Sequence, residues 1–336
     1  MDYGLYQPDG ALYTYRTLTF LGNGQLEAGK EVSKWYAENA FKGNVLDPKL
    51  FSFETNPMWD QYRFRVLYPV FSVPFVYFIG IPGMLVLPTI SFLIFLICIL
   101  KISAKYNSPE LGIIVALVFS LSSTLNRWMI CNITDGLLVA ISSIIVLLLI
   151  NNENFKIKNT YYILVLVVLG SLTRFSFLLW VSIAIVFAMY KKFKAAALII
   201  LTASFGIAPI LFSNFTQSIL PSSDSSLKTK LMHFPFSLAK ITFIEFAQIM
   251  VMDRIFFLTA VIAVLLCLKN LHLLSSKYFL AVFIALLITG SINGTVGVNF
   301  RYQLPIIPFM AWVLIENIKS IFPDLEIGQK FFKAFR

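Results

Sequence analysis

Asp9 is an acid set where it could move a proton. It stands in Gln7-Pro8-Asp9-Gly10-Ala11-Leu12-Tyr13, at the head of the mostly polar segment 1–65. A carboxylate here serves as a general base toward a hydroxyl, or as an N-cap accepting backbone N–H groups of the helix that follows Pro8. The two roles are compatible. Arginines recur at the ends of apolar runs: Arg65, Arg127, Arg174 and Arg301, with Asp135 opening one of those runs. A guanidinium donates paired hydrogen bonds and stays charged, which suits it to a phosphate. The blander reading is that each arginine snorkels to the interface or pairs with Asp135. His233, in a long polar connection, either contacts a substrate or merely lines its loop. The only other histidine is His272, and Cys98, Cys131 and Cys267 lie far apart. That inventory excludes a disulfide framework, a CxxC metal site and a His-based nucleophile, so no metal is expected at the site.

The elements that must position these residues read as membrane helices. Of 336 residues 58% are hydrophobic and only 13% charged, and the mean hydropathy is +0.79. Soluble domains carry about 25% charged residues. The formal charge of +10 forms no compact basic run, so nucleic acid is excluded as a partner and the excess is assigned to cytoplasmic loops. Segment 1–65 holds no spanning stretch. Two pieces in it are helical: Asp9 to about Leu21, stopped by Gly22-Asn23-Gly24, and Glu31 to Phe41. The second carries Val32, Trp35, Tyr36 and Ala40 on one face, as an interfacial helix would.

Residues 66–318 then read as an all-α, polytopic bundle of about nine spans. A short helix at 66–80 precedes a first full span at 84–100. Further runs lie at about 111–126, 133–150, 160–172, 175–190, 195–213, 255–268, 278–292 and 303–318. An outer loop occupies 214–254, and 319–336 form a cytoplasmic tail. With segment 1–65 outside, the inner turns receive Lys101, Lys105, Lys156, Lys158, Lys191, Lys192, Lys194, Lys269 and Lys277, while the short outer turns hold one cation each, Arg127, Arg174 and Arg301. Positive residues in short loops set topology, and every turn obeys the rule. An exterior segment at the N-terminus needs a span to deliver it, so a further transmembrane helix is expected ahead of Met1. Three Asn-x-Thr triplets, at Asn132, Asn214 and Asn293, hug span ends and read as chance.

Four motifs carry a resemblance. Pro8-Asp9-Gly10-x-x-Tyr13, Arg65-Val66-Leu67-Tyr68-Pro69, Thr134-Asp135-Gly136 and Arg301-Tyr302-Gln303-Leu304-Pro305 are similar, in this order, to stretches of GT-C-type membrane glycosyltransferases, the superfamily of protein mannosyltransferases and aminoarabinose transferases. The resemblance implies inverting transfer of a sugar from a polyprenyl-phosphate donor to an extracytoplasmic lipid, glycan or protein acceptor, at the cell membrane and with no cofactor. It makes Asp9 the catalytic base. Arg65, Tyr68, Arg127, Asp135, Arg174, His233, Arg301 and Tyr302 become the residues expected around donor phosphate and substrate. Gly10 stands where many members carry a second acid, which speaks against a metal or paired carboxylates.

Two other classes compete. A lipid or solute transporter or flippase would place ionisable residues deep in spans and often show related halves; here the spans are nearly free of acids and no repeat is visible. A non-catalytic membrane subunit would use segment 1–65 to bind a partner.

Overall fold

The computed structural model describes residues 6–40, 51, 65–151, 157–174, 176–204, 234–293 and 301–321. Every regular element within them is helical. In chain order they are α1 (Pro8–Phe20), α2 (Gln25–Asn39), α3 (Leu67–Ile79), a 3-10 turn at Ile81–Leu85 running into α4 (Val86–Lys105), α5 (Pro109–Leu121), α6 (Ser123–Ile130), α7 (Asp135–Ile150), α8 (Ile157–Thr173) and α9 (Phe177–Met189). There follow α10 (Phe193–Ser204), α11 (Phe234–Met252), α12 (Arg254–Lys269), α13 (Leu274–Asn293), a 3-10 turn at Arg301–Ile306 and α14 (Ile307–Ile321).

The bundle is built around α7 and α14. Most residues of both are buried, because α7 is covered by α4, α8 and α14, and α14 by α12 and α13. Helices further out are apolar on the outside as well. On α4 the exposed side chains include Ile90, Leu93, Ile97 and Leu100, and on α12 they include Ile255, Leu258, Ile262 and Leu265. That spacing of three and four marks one stripe of each helix, so these helices are hydrophobic all round. Among the described residues two helices are long and apolar enough to cross a membrane, Ile81–Lys105 and Gln303–Ile321, or three if α5 and α6 count as one span.

Three sequence expectations change. The apolar run at 111–126 is no single straight helix: it breaks at Ser122, where α5 and α6 meet at 78°. Half of the expected outer loop at 214–254 is the 19-residue helix α11. The interfacial helix expected from Glu31 begins at Gln25 and buries Val32 and Tyr36 against its neighbours.

Asp253 fastens the break. Its Oδ2 accepts from the Ser122 hydroxyl at 2.7 Å and from the Thr124 N–H at 2.9 Å. Its Oδ1 caps α12 by accepting from the Phe256 N–H at 2.9 Å. Ser122 in turn caps α6, its Oγ accepting from the Leu125 N–H at 3.0 Å. One buried carboxylate thus closes two helix starts across 130 residues of sequence. Asp253→Ala removes a cap and orphans buried donors, so it should lower unfolding stability by about 2–3 kcal/mol, measured by denaturant titration of the solubilised protein. A loss under about 0.5 kcal/mol would mean the break holds without it.

Candidate active site

The site begins at the start of α1. Pro8 occupies the first helical position, where its missing N–H costs nothing and its fixed φ suits the helix. The helix ends at Gly22, whose φ of 98° is left-handed. The Asn23 N–H reaches Leu18 O and the Gly22 N–H reaches Thr19 O, the paired bonds of a Schellman stop. Of the two roles open to Asp9, the N-cap position falls to Gln7. Asp9 stands in the first turn, where the helix dipole favours an anion. Far from lying at a surface, α1 buries Ala11, Tyr13, Thr14, Tyr15, Thr17 and Leu18 between α2 and α3.

Asn132 locks this helix start onto the bundle. Its Oδ1 accepts from the Gln7 N–H at 2.9 Å, and its amide donates to the Tyr36 hydroxyl. Thr14 also shares a hydrogen bond with Tyr36, at 3.0 Å. Burial pushes the Tyr36 phenol up from its ordinary value, the bonds to Thr14 and Asn132 pulling the other way, so it remains a protonated hydroxyl. Asn132 is fully buried and already engaged, which leaves its glycosylation triplet inert. A Cβ built at Gly10 would run into the Asn132 side chain. The position where a second acid was considered is therefore one where this packing demands glycine.

The second half of the site comes from helix ends distant in sequence. Gly136 lets the first turn of α7 press against the Met129 carbonyl, since a Cβ there would collide with it. Asp135 is thereby seated at the N-terminal end of α7 with its side chain 1% exposed. Arg174, just past the end of α8, pairs with Oδ1 of Asp135. Arg301, opening the 3-10 turn before α14, places Nε 2.8 Å from Asp135 Oδ2. Its Nη1 lies 2.8 Å from Asp9 Oδ2. The order is Asp9, Arg301, Asp135, Arg174, with charges alternating in sign and balanced. A buried charge is tolerated only when matched in this way. The two acids are nonetheless unequal. Asp9 keeps 27% of its side chain exposed, so it faces the solvent side while Asp135 is sealed beneath.

No family model, curated protein or solved structure matches this chain. What the site does must be argued from its own geometry.

Three more of the expected residues, Arg65, Tyr68 and Arg127, join this region through Tyr13 and Trp128. Arg65 donates from Nη1 to the Tyr13 hydroxyl at 3.3 Å, and that hydroxyl lies 3.5 Å from Thr134 Oγ1, beside Asp135. Tyr68, on α3, is buried edge-on against the Tyr13 ring at 5.5 Å and donates to Met84 O at 2.6 Å, so it ties α1 to the 3-10 turn that precedes α4. Trp128 lies under two guanidiniums, Arg127 at 5.4 Å and Arg301 at 5.3 Å. Four arginines against two aspartates give these six side chains a net charge of +2. His233 lies outside the described residues, and of Tyr302 only the backbone is described. Among the described residues no three His, Cys, Asp or Glu side chains are grouped to hold an ion.

Sequence reasoning missed Trp128, Tyr13, Asn132 and Tyr36 as parts of the site. Trp128 follows Arg127 directly, and Asn132 lies three residues before Asp135. Each was within sight of a residue already singled out.

Proposed function

We propose that this chain is a polytopic membrane glycosyltransferase that moves a sugar, with inversion, from a polyprenyl-phosphate donor to a lipid, glycan or protein acceptor outside the cytoplasm. The observation that carries the proposal is the pairing of a partly open Asp9 carboxylate with Arg301, whose other edge is anchored on the sealed Asp135. Such a site offers a base and a fixed cation side by side, and little else. Inverting displacement of a phosphate requires little else: a phosphate leaves without a proton, so the second carboxylate that an inverting glycosidase uses as acid has no task.

In the proposed reaction the acceptor oxygen attacks the anomeric carbon opposite the phosphate. The new C–O bond forms as the bond from that carbon to the phosphate oxygen breaks. The hydroxyl proton passes to an Asp9 oxygen, and the polyprenyl phosphate leaves with the bonding pair, its added charge met by Arg301 and Arg65. Asp9 and the phosphate compete for the same outer edge of Arg301. Arrival of the donor would draw Nη1 to the phosphate and release Asp9 to act as base, while Nε keeps Arg301 on Asp135. Arg174 would remain the buried counter-charge that holds Asp135 in place. Loss of transfer in Asp9→Asn is the direct test.

Membrane placement is supported by the outward apolar stripes of α4 and α12 and by the spanning length of Ile81–Lys105 and Gln303–Ile321. We propose that the shorter apolar helices lie in the bilayer too, with the quartet outside and the C-terminus in the cytoplasm. All three native cysteines are buried, which gives a quiet background for labelling. A cysteine introduced at Ser223 should react with an impermeant thiol reagent in whole cells, and one at Asn154 only after lysis. The opposite pattern overturns the orientation.

Transport of a lipid or solute is the second reading. It draws support from the burial of Asp135, Arg174 and Arg301 at helix ends, because ionisable groups inside a membrane bundle often mark a translocation path. It requires flux across proteoliposomes with no new glycosidic bond.

A further inference from the structure

On α8 and α10, at the opposite ends from Arg174, a cavity of about 550 Å³ opens between the first turns of α8 and the turn joining α9 to α10. Its lining includes Lys191, Lys192, Lys194, Tyr161, Leu164 and Leu198; among the described residues none that lines it is acidic. The volume falls within the range of small-ligand pockets, roughly 300–1,000 Å³.

The local charges run against what a helix end prefers. Lys191 adopts φ 60°, the left-handed position ending α9 that normally goes to glycine. The Lys191 N–H reaches Ala188 O and the Lys192 N–H reaches Phe187 O, so this turn is a well-formed helix stop and the two lysines complement the negative end of α9. The same lysines stand at the positive end of α10, and Lys194 lies within its first turn, where a cation is unfavourable. Three cations, a helix N-terminus and an acid-free wall converge on one opening, beside side chains as apolar and exposed as Phe193 and Leu198. An anion with an attached hydrocarbon chain satisfies both halves.

We infer that this cavity binds an anionic phospholipid, the phosphate on Lys191 and Lys194 and an acyl chain along Leu164 and Leu198. The inference rests on the membrane reading above, in which this end of the bundle faces the cytoplasm. Basic pockets between spans on that side suit anionic headgroups. In function the lipid would fix the turn between α9 and α10 at the inner surface and offset the crowding of like charges.

The test is a titration of the purified chain in detergent with phosphatidylglycerol and with phosphatidylcholine of the same acyl chains, bound lipid being counted by native mass spectrometry. Phosphatidylglycerol should bind at least tenfold tighter. Removing two near-surface lysines with Lys191→Gln/Lys194→Gln should weaken its binding by roughly thirtyfold. Leu198→Trp, which fills the cavity and leaves every charge, should weaken it at least fivefold. Inorganic phosphate at millimolar concentration should not compete. Equal binding of the two lipids, wild-type affinity in either variant, or displacement by inorganic phosphate overturns the inference. Asp9→Asn should bind the lipid as wild type does, so failure of the catalytic proposal and failure of this one are read separately.

Discussion

Asp9→Asn should lower sugar transfer by about a thousandfold, the size of a positioned general base, in membranes supplied with a polyprenyl-phosphate sugar. The amide has nearly the shape of the carboxylate but takes no proton. Its structural cost should be small. Arg301 keeps its bond to Asp135, and Asp9 is open enough to solvent that loss of its ion pair should cost about 1 kcal/mol or less. Protein level and unfolding midpoint should therefore stay near wild type while turnover collapses. Asp9→Glu separates the ion pair from the chemistry. It retains the charge opposite Arg301 but moves the carboxylate by about one methylene, and misplacement by about 1 Å is enough to lose about a hundredfold in rate. Normal turnover in Asp9→Asn would sink the assignment of Asp9 as base, whatever else the site does.

Asp135→Asn should have the largest effect on stability. It leaves Arg174 and Arg301, both more than nine-tenths buried, without the carboxylate that lies between them. Breaking a buried ion pair in this way costs about 3–5 kcal/mol, because the remaining charge is desolvated and unmatched. The variant should unfold far earlier in a denaturant titration, or fail to accumulate in the membrane. The double variant Asp135→Asn/Arg174→Gln restores charge balance, leaving Arg301 with Asp9. It should recover more than 1 kcal/mol of that loss, a coupling that neighbouring groups in one network show. If the single variant loses under about 1 kcal/mol, or the double variant recovers nothing, Asp135 is no buried counter-ion.

Together these variants divide the two acids by exposure. They carry the same charge and touch the same arginine, but Asp9 is partly exposed. The other is closed off by the helix ends it joins.

Much of this was legible in the chain. Pro8 and the pair Gly22-Asn23 bounded α1 because a fixed φ and a left-handed glycine act within a few residues. The arginines at the ends of apolar runs stood out by their spacing alone, but that spacing did not say which of them would meet Asp9 and Asp135. The break at Ser122 was hidden. No proline or glycine marks it, and the acid that secures it, Asp253, lies 131 residues away. The helical half of the expected outer loop, α11, was masked by its mixed composition. Trp128 and Asn132 were passed over because an aromatic and an amide at a helix end have many uses, and only their neighbours choose among them.

The sequence by itself determined that the regular elements are helices, that most of those after residue 66 are apolar, and that acids and arginines stand at particular helix ends. These are matters of composition and short-range spacing. Only the tertiary structure decided the pairing: Arg301 between Asp9 and Asp135, Arg174 on the far side of Asp135, and Gly10 pressed against Asn132. Residues far apart in the chain meet by the packing of whole helices, and a charge specifies the sign of its partner but not which partner it will have.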